Sequence, residues 1–266
     1  SAPRGRLLGL LLGGRRGSAL GGLCLPIAPR GVPPSAVLTD HLVVYFEGQP
    51  NTCPAWVYRL QVDTAELRLI NGANRTFSEI AEAATEPYHL LMNAGMFHRL
   101  GKPVGYFIND APRRLFSEVN TDSTQRGNFF MVPNGLFYLD STGQPGLATP
   151  PAFLAQGLDT VPLQLATQSG PMLLMDGAYH PAFRSHSNSR HIRNGVGLRP
   201  DGTVVFICTA DPVNFYTFAT MFLEEGCPNA LYLDGAISGM YISGITADLN
   251  WFKVGYGPVL GVVLKE

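Results

Sequence analysis

The stretch Val196-Gly-Leu-Arg-Pro-Asp-Gly-Thr-Val-Val-Phe-Ile-Cys208 reads as two apolar runs around a turn. Pro200-Asp201-Gly202 supplies the turn residues, and Val196–Leu198 and Thr203–Cys208 are strands of a hairpin. Working outward, apolar runs of strand length recur between turn signals. They are Leu42–Phe46, Trp56–Val62, Glu66–Ile70, Tyr88–Met92, Val104–Ile108, Asn128–Val132, Leu136–Leu139, Met172–Met175, Leu231–Leu233 and Val259–Leu264. Pro133-Asn134-Gly135 predicts a second hairpin and Asp176-Gly177 a further turn. Helix signals are few. Thr76-x-x-Glu79 is a capping box. Pro212–Glu225 carries one apolar face, with Asp211 as its expected cap and Gly226 and Pro228 as its stop. A short third helix is expected at Ala152–Gln156. Many strands and few helices predict an α+β fold: a single domain with a large mixed, mostly antiparallel β-sheet core.

The chain has 266 residues, 45% hydrophobic and 15% charged, with 30 glycines and 21 prolines. That composition excludes a disordered chain and a helical bundle, and the length is enough to bury a full core. The net charge is −1 with no basic stripe, so nucleic acid is not an expected partner. The charge is uneven. Residues 1–39 hold Arg4, Arg6, Arg15, Arg16 and Arg30 and no acid; the remainder has 14 basic and 20 acidic side chains. Arg15-Arg16 followed by uncharged Ser18–Ala28, with small residues near Ala28 and Ala36, reads as an export leader. The expected division is a leader over 1–39 and one domain over 40–266, exported to the periplasm or the medium. No apolar run reaches the ~18 residues of a membrane span. Leu23 before Cys24 argues against a lipid anchor. Cys53, Cys208 and Cys227 show no metal-ligand spacing, and Cys208 reads as a buried apolar residue. No cofactor is expected.

Five segments place Gly beside Asn, Asp, Arg or Ser at strand ends. They are Asn93-Ala-Gly-Met-Phe97, Gly127-Asn-Phe-Phe130, Gln168-Ser-Gly-Pro171, Ser189-Arg-His-Ile-Arg-Asn-Gly-Val-Gly197 and Leu233-Asp-Gly-Ala-Ile-Ser238. Glycine there lets a ligand approach the backbone, and the polar neighbours supply directional bonds. Asp234, leaving a buried-strand pattern, is the candidate acid, base or nucleophile. Arg193 and Arg190 are candidate clamps for an anion. Asp176 and Asp211 are candidate second carboxylates. His98 is a candidate proton carrier. His180, His186 and His191 cluster in sequence, but a loop rich in Ser, Asn and Arg is a weak metal site. No Gly-x-Ser-x-Gly elbow, P-loop or dinucleotide fingerprint occurs.

The ordered set of these segments, with Pro103-Val-Gly-Tyr-Phe107 and Asn229-Ala-Leu-Tyr-Leu-Asp-Gly235, resembles the phosphodiester glycosidase domain family over about Val57 to Glu266. The resemblance implies hydrolysis of the bond between an anomeric sugar carbon and a phosphodiester oxygen. It matches Asn93, Gly95, Arg193, Gly197, Asp234, Gly235 and Ser238 to family positions. It departs at Asn194-Gly195 and at Ala236-Ile237, where side chains replace glycines. On this reading Asp234, Arg193 and Asn93 are catalytic. Gly95, Phe97, His98, Asn128, Gln168, Ser169, Arg190, Asn194, Gly235 and Ser238 bind an anionic glycoconjugate or sugar phosphodiester. A non-catalytic carbohydrate or envelope-binding module using the same cleft is the rival reading.

Overall fold

The computed structural model describes residues 44–45, 55–98, 102–109, 118–234, 237–244 and 255–265. The leader read over 1–39, Cys24, Cys53 and Gly235 lie outside the described residues. In chain order the elements begin β1 (Val44–Tyr45), β2 (Ala55–Leu60), β3 (Ala65–Arg75), α1 (Phe77–Glu82), β4 (Leu90–Asn93) and β5 (Phe107–Ile108). They continue β6 (Gly135–Asp140), β7 (Pro145–Ala148), α2 (Pro150–Ala155), β8 (Leu163–Ser169), β9 (Met172–Met175) and β10 (Ala178–Tyr179). The last are β11 (Asn194–Leu198), β12 (Val204–Thr209), α3 (Phe215–Glu224), β13 (Asn229–Tyr232), β14 (Met240–Ile242) and β15 (Tyr256–Leu264).

The α+β class with an antiparallel core stands, with the core divided among three sheets. One has seven strands in the order β1-β2-β12-β11-β13-β9-β10; the others are β14-β4-β15-β3 and β5-β8-β6-β7. Every pairing among the described residues is antiparallel. The sheets bury their inner faces in one shared core, which takes Phe206 from the first, Leu260 from the second and Phe137 from the third. Each outer face carries a helix. Phe218 and Phe222 of α3 cover the first sheet, Phe77 and Ile80 of α1 the second, and Phe153 of α2 the third. This explains the unbroken apolar run of β12: Val204, Phe206 and Cys208 face the shared core, while Val205 and Ile207 face α3.

The Pro200-Asp201-Gly202 hairpin forms as read, pairing Leu198 with Val204 and placing Gly202 at φ +85. The Thr76/Glu79 capping box is present in full. Three expectations change. Residues 128–132 are turns, not a strand, so Pro133-Asn134-Gly135 closes no hairpin. Phe130 N–H donates to Gly127 O (3.2 Å) and Met131 N–H to Asn128 O (3.2 Å), and the apolar run serves a wall instead of a sheet. Helix α3 starts at Phe215, capped by Asn214 and not Asp211, because Val213 is still extended and bridged to His191. Asn214 Oδ1 accepts Thr217 N–H at 2.9 Å. Helix α2 starts two residues early, at Pro150, where two prolines fit the first turn.

The C-terminal end of α3 is tied across the chain. The buried Glu225 carboxylate accepts Arg59 Nε and Nη2, both at 2.7 Å, and Arg199 Nη2 at 2.8 Å. Cys208 and Cys227 are buried thiols that form no disulfide among the described residues. Burial pushes the Cys227 thiol up to about 12, which leaves it unreactive at neutral pH.

Candidate active site

Strands β4, β11 and β13 bring their ends together where the first and second sheets meet. The alternation of β11 sends Asn194 to the inner side and Arg193 to the α3 side. Asn194 then acts as a junction. Its Nδ2 donates to Asn93 O (2.6 Å) and Asn93 Oδ1 (2.9 Å), and its Oδ1 accepts Asp234 N–H (3.1 Å). Ser238 Oγ lies 3.2 Å from Asn194 Oδ1 and 2.8 Å from Asp234 O, sharing its one proton between them. Gly239 N–H donates to Asn93 Oδ1 at 2.8 Å. Asn93 Nδ2 is buried with no hydrogen-bond partner among the described residues. The network thus holds residue 234 through its main chain and leaves one carboxamide donor unused.

Above this network lies a cleft of about 500 Å³. Asp234 lines it, as do the expected Phe97, His98 and Asn128. Sequence reading missed Met96, Arg126, Phe130 and Ile237 on the same walls. Met96, Phe130 and Ile237 lie inside the segments singled out but were not assigned to the site, and Arg126 lies one residue before one of them. Asp234 is the only acidic residue among the described residues that line the cleft. Asp176 and Asp211 are exposed elsewhere, the first on the turn between β9 and β10.

The other expected residues sit below or beside the cleft. Gly95 N–H donates to Thr167 Oγ1 (3.2 Å), and a Cβ there would come within 2.4 Å of Gln168 O. Glycine is therefore what lets β4 end against β8. Gln168 uses its whole carboxamide internally. Its Oε1 accepts Tyr106 N–H (3.0 Å) and Asn120 N–H (2.8 Å); its Nε2 donates to Asn120 O (2.6 Å) and Asn134 Oδ1 (3.2 Å). It has no group left for a sugar hydroxyl and acts as a brace for the wall. Ser169 Oγ donates to Leu233 O. Arg190 is exposed and is not among the residues that line the cleft.

Arg193 is placed differently from the anion clamp expected of it. It is 0% exposed, behind the wall. Its Nε donates to Val213 O (2.8 Å) and its Nη2 to Ser189 O (3.2 Å). Its guanidinium stacks 3.7 Å above the Phe215 ring and lies 5.2 Å from the Tyr232 centroid. Burial pulls its pKa below the ordinary arginine range, and the same burial raises that of the Tyr232 phenol.

The three histidines do not converge, and no group of three or more His, Cys, Asp or Glu residues comes together among the described residues. His186 and His191 are exposed. His180 is buried, accepts Ala182 N–H at Nδ1 (3.2 Å) and stacks on Phe183. Burial lowers its pKa below 6.5. Between the folded value and 6.5 the unfolded chain holds the extra proton, so stability falls as pH drops through that window and is complete above it. Urea midpoints at pH 7.5 and pH 5 are expected to show this decline, and His180→Phe to flatten it. An unchanged slope in the variant would remove His180 as the cause.

The fold and cleft define an antiparallel α+β protein with one carboxylate presented at the meeting point of two sheets. The sequence profile described as phosphodiester glycosidase matches residues 87–257. The chain belongs to the phosphodiester glycosidase family. The uncharacterized protein YigE of Escherichia coli K12 is 33% identical over 177 residues, 66% of this chain and 66% of that one. The prophage-derived uncharacterized protein YomE of Bacillus subtilis 168 is 37% identical over 71 residues, 22% of this chain and 11% of that one. The chain therefore spans just under two thirds of the first relative and a small part of the second. Among solved structures, the catalytic domain of zebrafish N-acetylglucosamine-1-phosphodiester α-N-acetylglucosaminidase, auto-inhibited by its pro-peptide, has a TM-score of 0.58 at 14% identity. That match covers 91% of this chain and 87% of the zebrafish one. A hypothetical protein from Synechocystis has a TM-score of 0.50 at 14% identity, covering 85% and 61%. Among the described residues no helix is long and apolar enough to cross a membrane.

Proposed function

We propose that this chain is an exported hydrolase that cleaves a sugar-1-phosphodiester in an envelope or extracellular glycoconjugate. The observation that carries the reading is Asp234, a carboxylate braced by Asn194 and Ser238 at the wall of a cleft of about 500 Å³. Family membership supplies the bond type, and the zebrafish relative's name supplies the model substrate, an α-linked N-acetylglucosamine-1-phosphodiester. Export rests on the composition of residues 1–39.

The chemistry suits one carboxylate. The bond from C1 to the phosphodiester oxygen breaks, the electron pair leaves with a phosphomonoester, and a water oxygen bonds to C1. A phosphate departs without being protonated, so little acid assistance is needed. The harder task is to stabilise positive charge at C1 and to take the proton of water, and a carboxylate does both. The aromatic faces of Phe97, Phe129 and Phe130 line the same cleft and lower its polarity. That strengthens the attraction between Asp234 and the cationic centre.

The test is incubation of the protein with an α-linked N-acetylglucosamine-1-phosphodiester. Free N-acetylglucosamine and a phosphomonoester in equal amounts are the expected products, with and without chelator. Saturable binding with no product would sink the hydrolase reading and leave a binding module.

A further inference from the structure

Arg193, the arginine that sequence reading assigned to the anion, is sealed behind the cleft. Among the described residues, the basic side chains that line the cleft are Arg126 and His98. We propose that Arg126 is the residue that recognises the substrate's phosphate; this rests on the phosphodiester reading and assigns the anion subsite within it.

Four observations carry the assignment. Arg126 lines the same cleft as Asp234, so one ligand can reach both. It is exposed on the turn before Gly127, and no hydrogen bond or ion pair engages its side chain among the described residues. The neighbouring acid, Asp122, is already taken by Thr124 and Gln125. The turn itself is held in place: Gln168 binds the main chain of Asn120 on one side and Asn134 on the other. An unengaged guanidinium on a braced turn, lining the same cleft as the carboxylate, is what a site needs to hold a phosphate within reach of Asp234. Without a cation, the phosphate and Asp234 would repel each other across a largely apolar space. A guanidinium also offers a planar fork that matches two phosphate oxygens. His98, exposed on the same wall, adds a second donor.

The assignment predicts discrimination by charge. Binding is measured by titration calorimetry for wild type, Arg126→Gln and Arg126→Lys. The probes are the α-linked N-acetylglucosamine-1-phosphodiester and the neutral methyl α-glycoside of the same sugar. Arg126→Gln is expected to weaken phosphodiester binding by about tenfold to a hundredfold, the scale of a lost charged hydrogen bond, and to leave the neutral glycoside unchanged. Arg126→Lys is expected to fall between, keeping the charge and losing the fork. Added salt should weaken wild-type binding more than Arg126→Gln binding. Equal weakening of both probes, or unchanged phosphodiester binding, would overturn the assignment. Binding is read apart from turnover, so a wild type that binds the phosphodiester through Arg126 without cleaving it keeps this assignment and fails only the hydrolase reading.

Discussion

Asp234→Asn is expected to lower turnover of the sugar phosphodiester by about 10²- to 10⁴-fold, the usual contribution of a positioned acid–base group. Asparagine keeps the shape of the side chain and removes its charge and basicity. The fold should survive, because Asn194 and Ser238 hold residue 234 through its main-chain N–H and C=O. Substrate binding should change little or tighten, since a negative charge facing the phosphate is removed. The measurement is steady-state release of N-acetylglucosamine alongside a urea unfolding curve. A variant that unfolds like wild type and retains a tenth or more of its turnover would show that Asp234 is not the reacting carboxylate.

Asn194→Ala is the second large effect, and it acts on stability as well as on turnover. The side chain is fully buried and makes four contacts with three residues. Removing it leaves Asp234 N–H and Asn93 O without these partners in a buried setting. Each such loss costs about 1–3 kcal/mol, so about 2–6 kcal/mol in all is expected, read as a lower urea midpoint with little change in slope. Turnover should fall further than stability alone explains, because Asp234 loses the bond that sets its position. A loss below about 1 kcal/mol would mean that water replaces the carboxamide and that the junction is not what holds the site.

How much of this was legible follows from the physics of each signal. The Leu198–Val204 hairpin was readable because turn chemistry and apolar runs agreed. Strand β8 was not read as a strand, because Thr167, Gln168 and Ser169 look like loop residues. They are buried, and their side chains are satisfied by bonds to distant segments, which sequence cannot show. The reverse held at 128–132, where an apolar run looked like a strand and proved to be turns beside the cleft. Asn93, Asn194, Asp234 and Ser238 were all singled out, and the structure brings the four together. Arg193 was read as an anion clamp, yet its side chain is buried against Phe215; neighbouring residues of a strand face opposite ways, and only the register tells which way is in. Arg126 carried no signal beyond being one residue before a flagged glycine.

Strand β15 pairs on both sides, with β3 at Ala65–Leu264 through Arg75–Tyr256 and with β4 at Leu90–Val262 through Asn93–Val259. A nascent chain delivered only as far as Gly244 has β3 and β4 but not the strand that joins them. At a synthesis rate of about 5–20 residues per second, those two strands wait roughly ten seconds or more for their partner. Until residues 256–264 emerge, the second sheet cannot close, and Asn93 has no fixed place from which to meet Asn194. Pairing across so long a separation is slow to find and leaves apolar strands exposed meanwhile. Protection of β4 amides in pulse-labelled exchange should therefore arise only after synthesis of β15, making assembly of the active site one of the last events in folding.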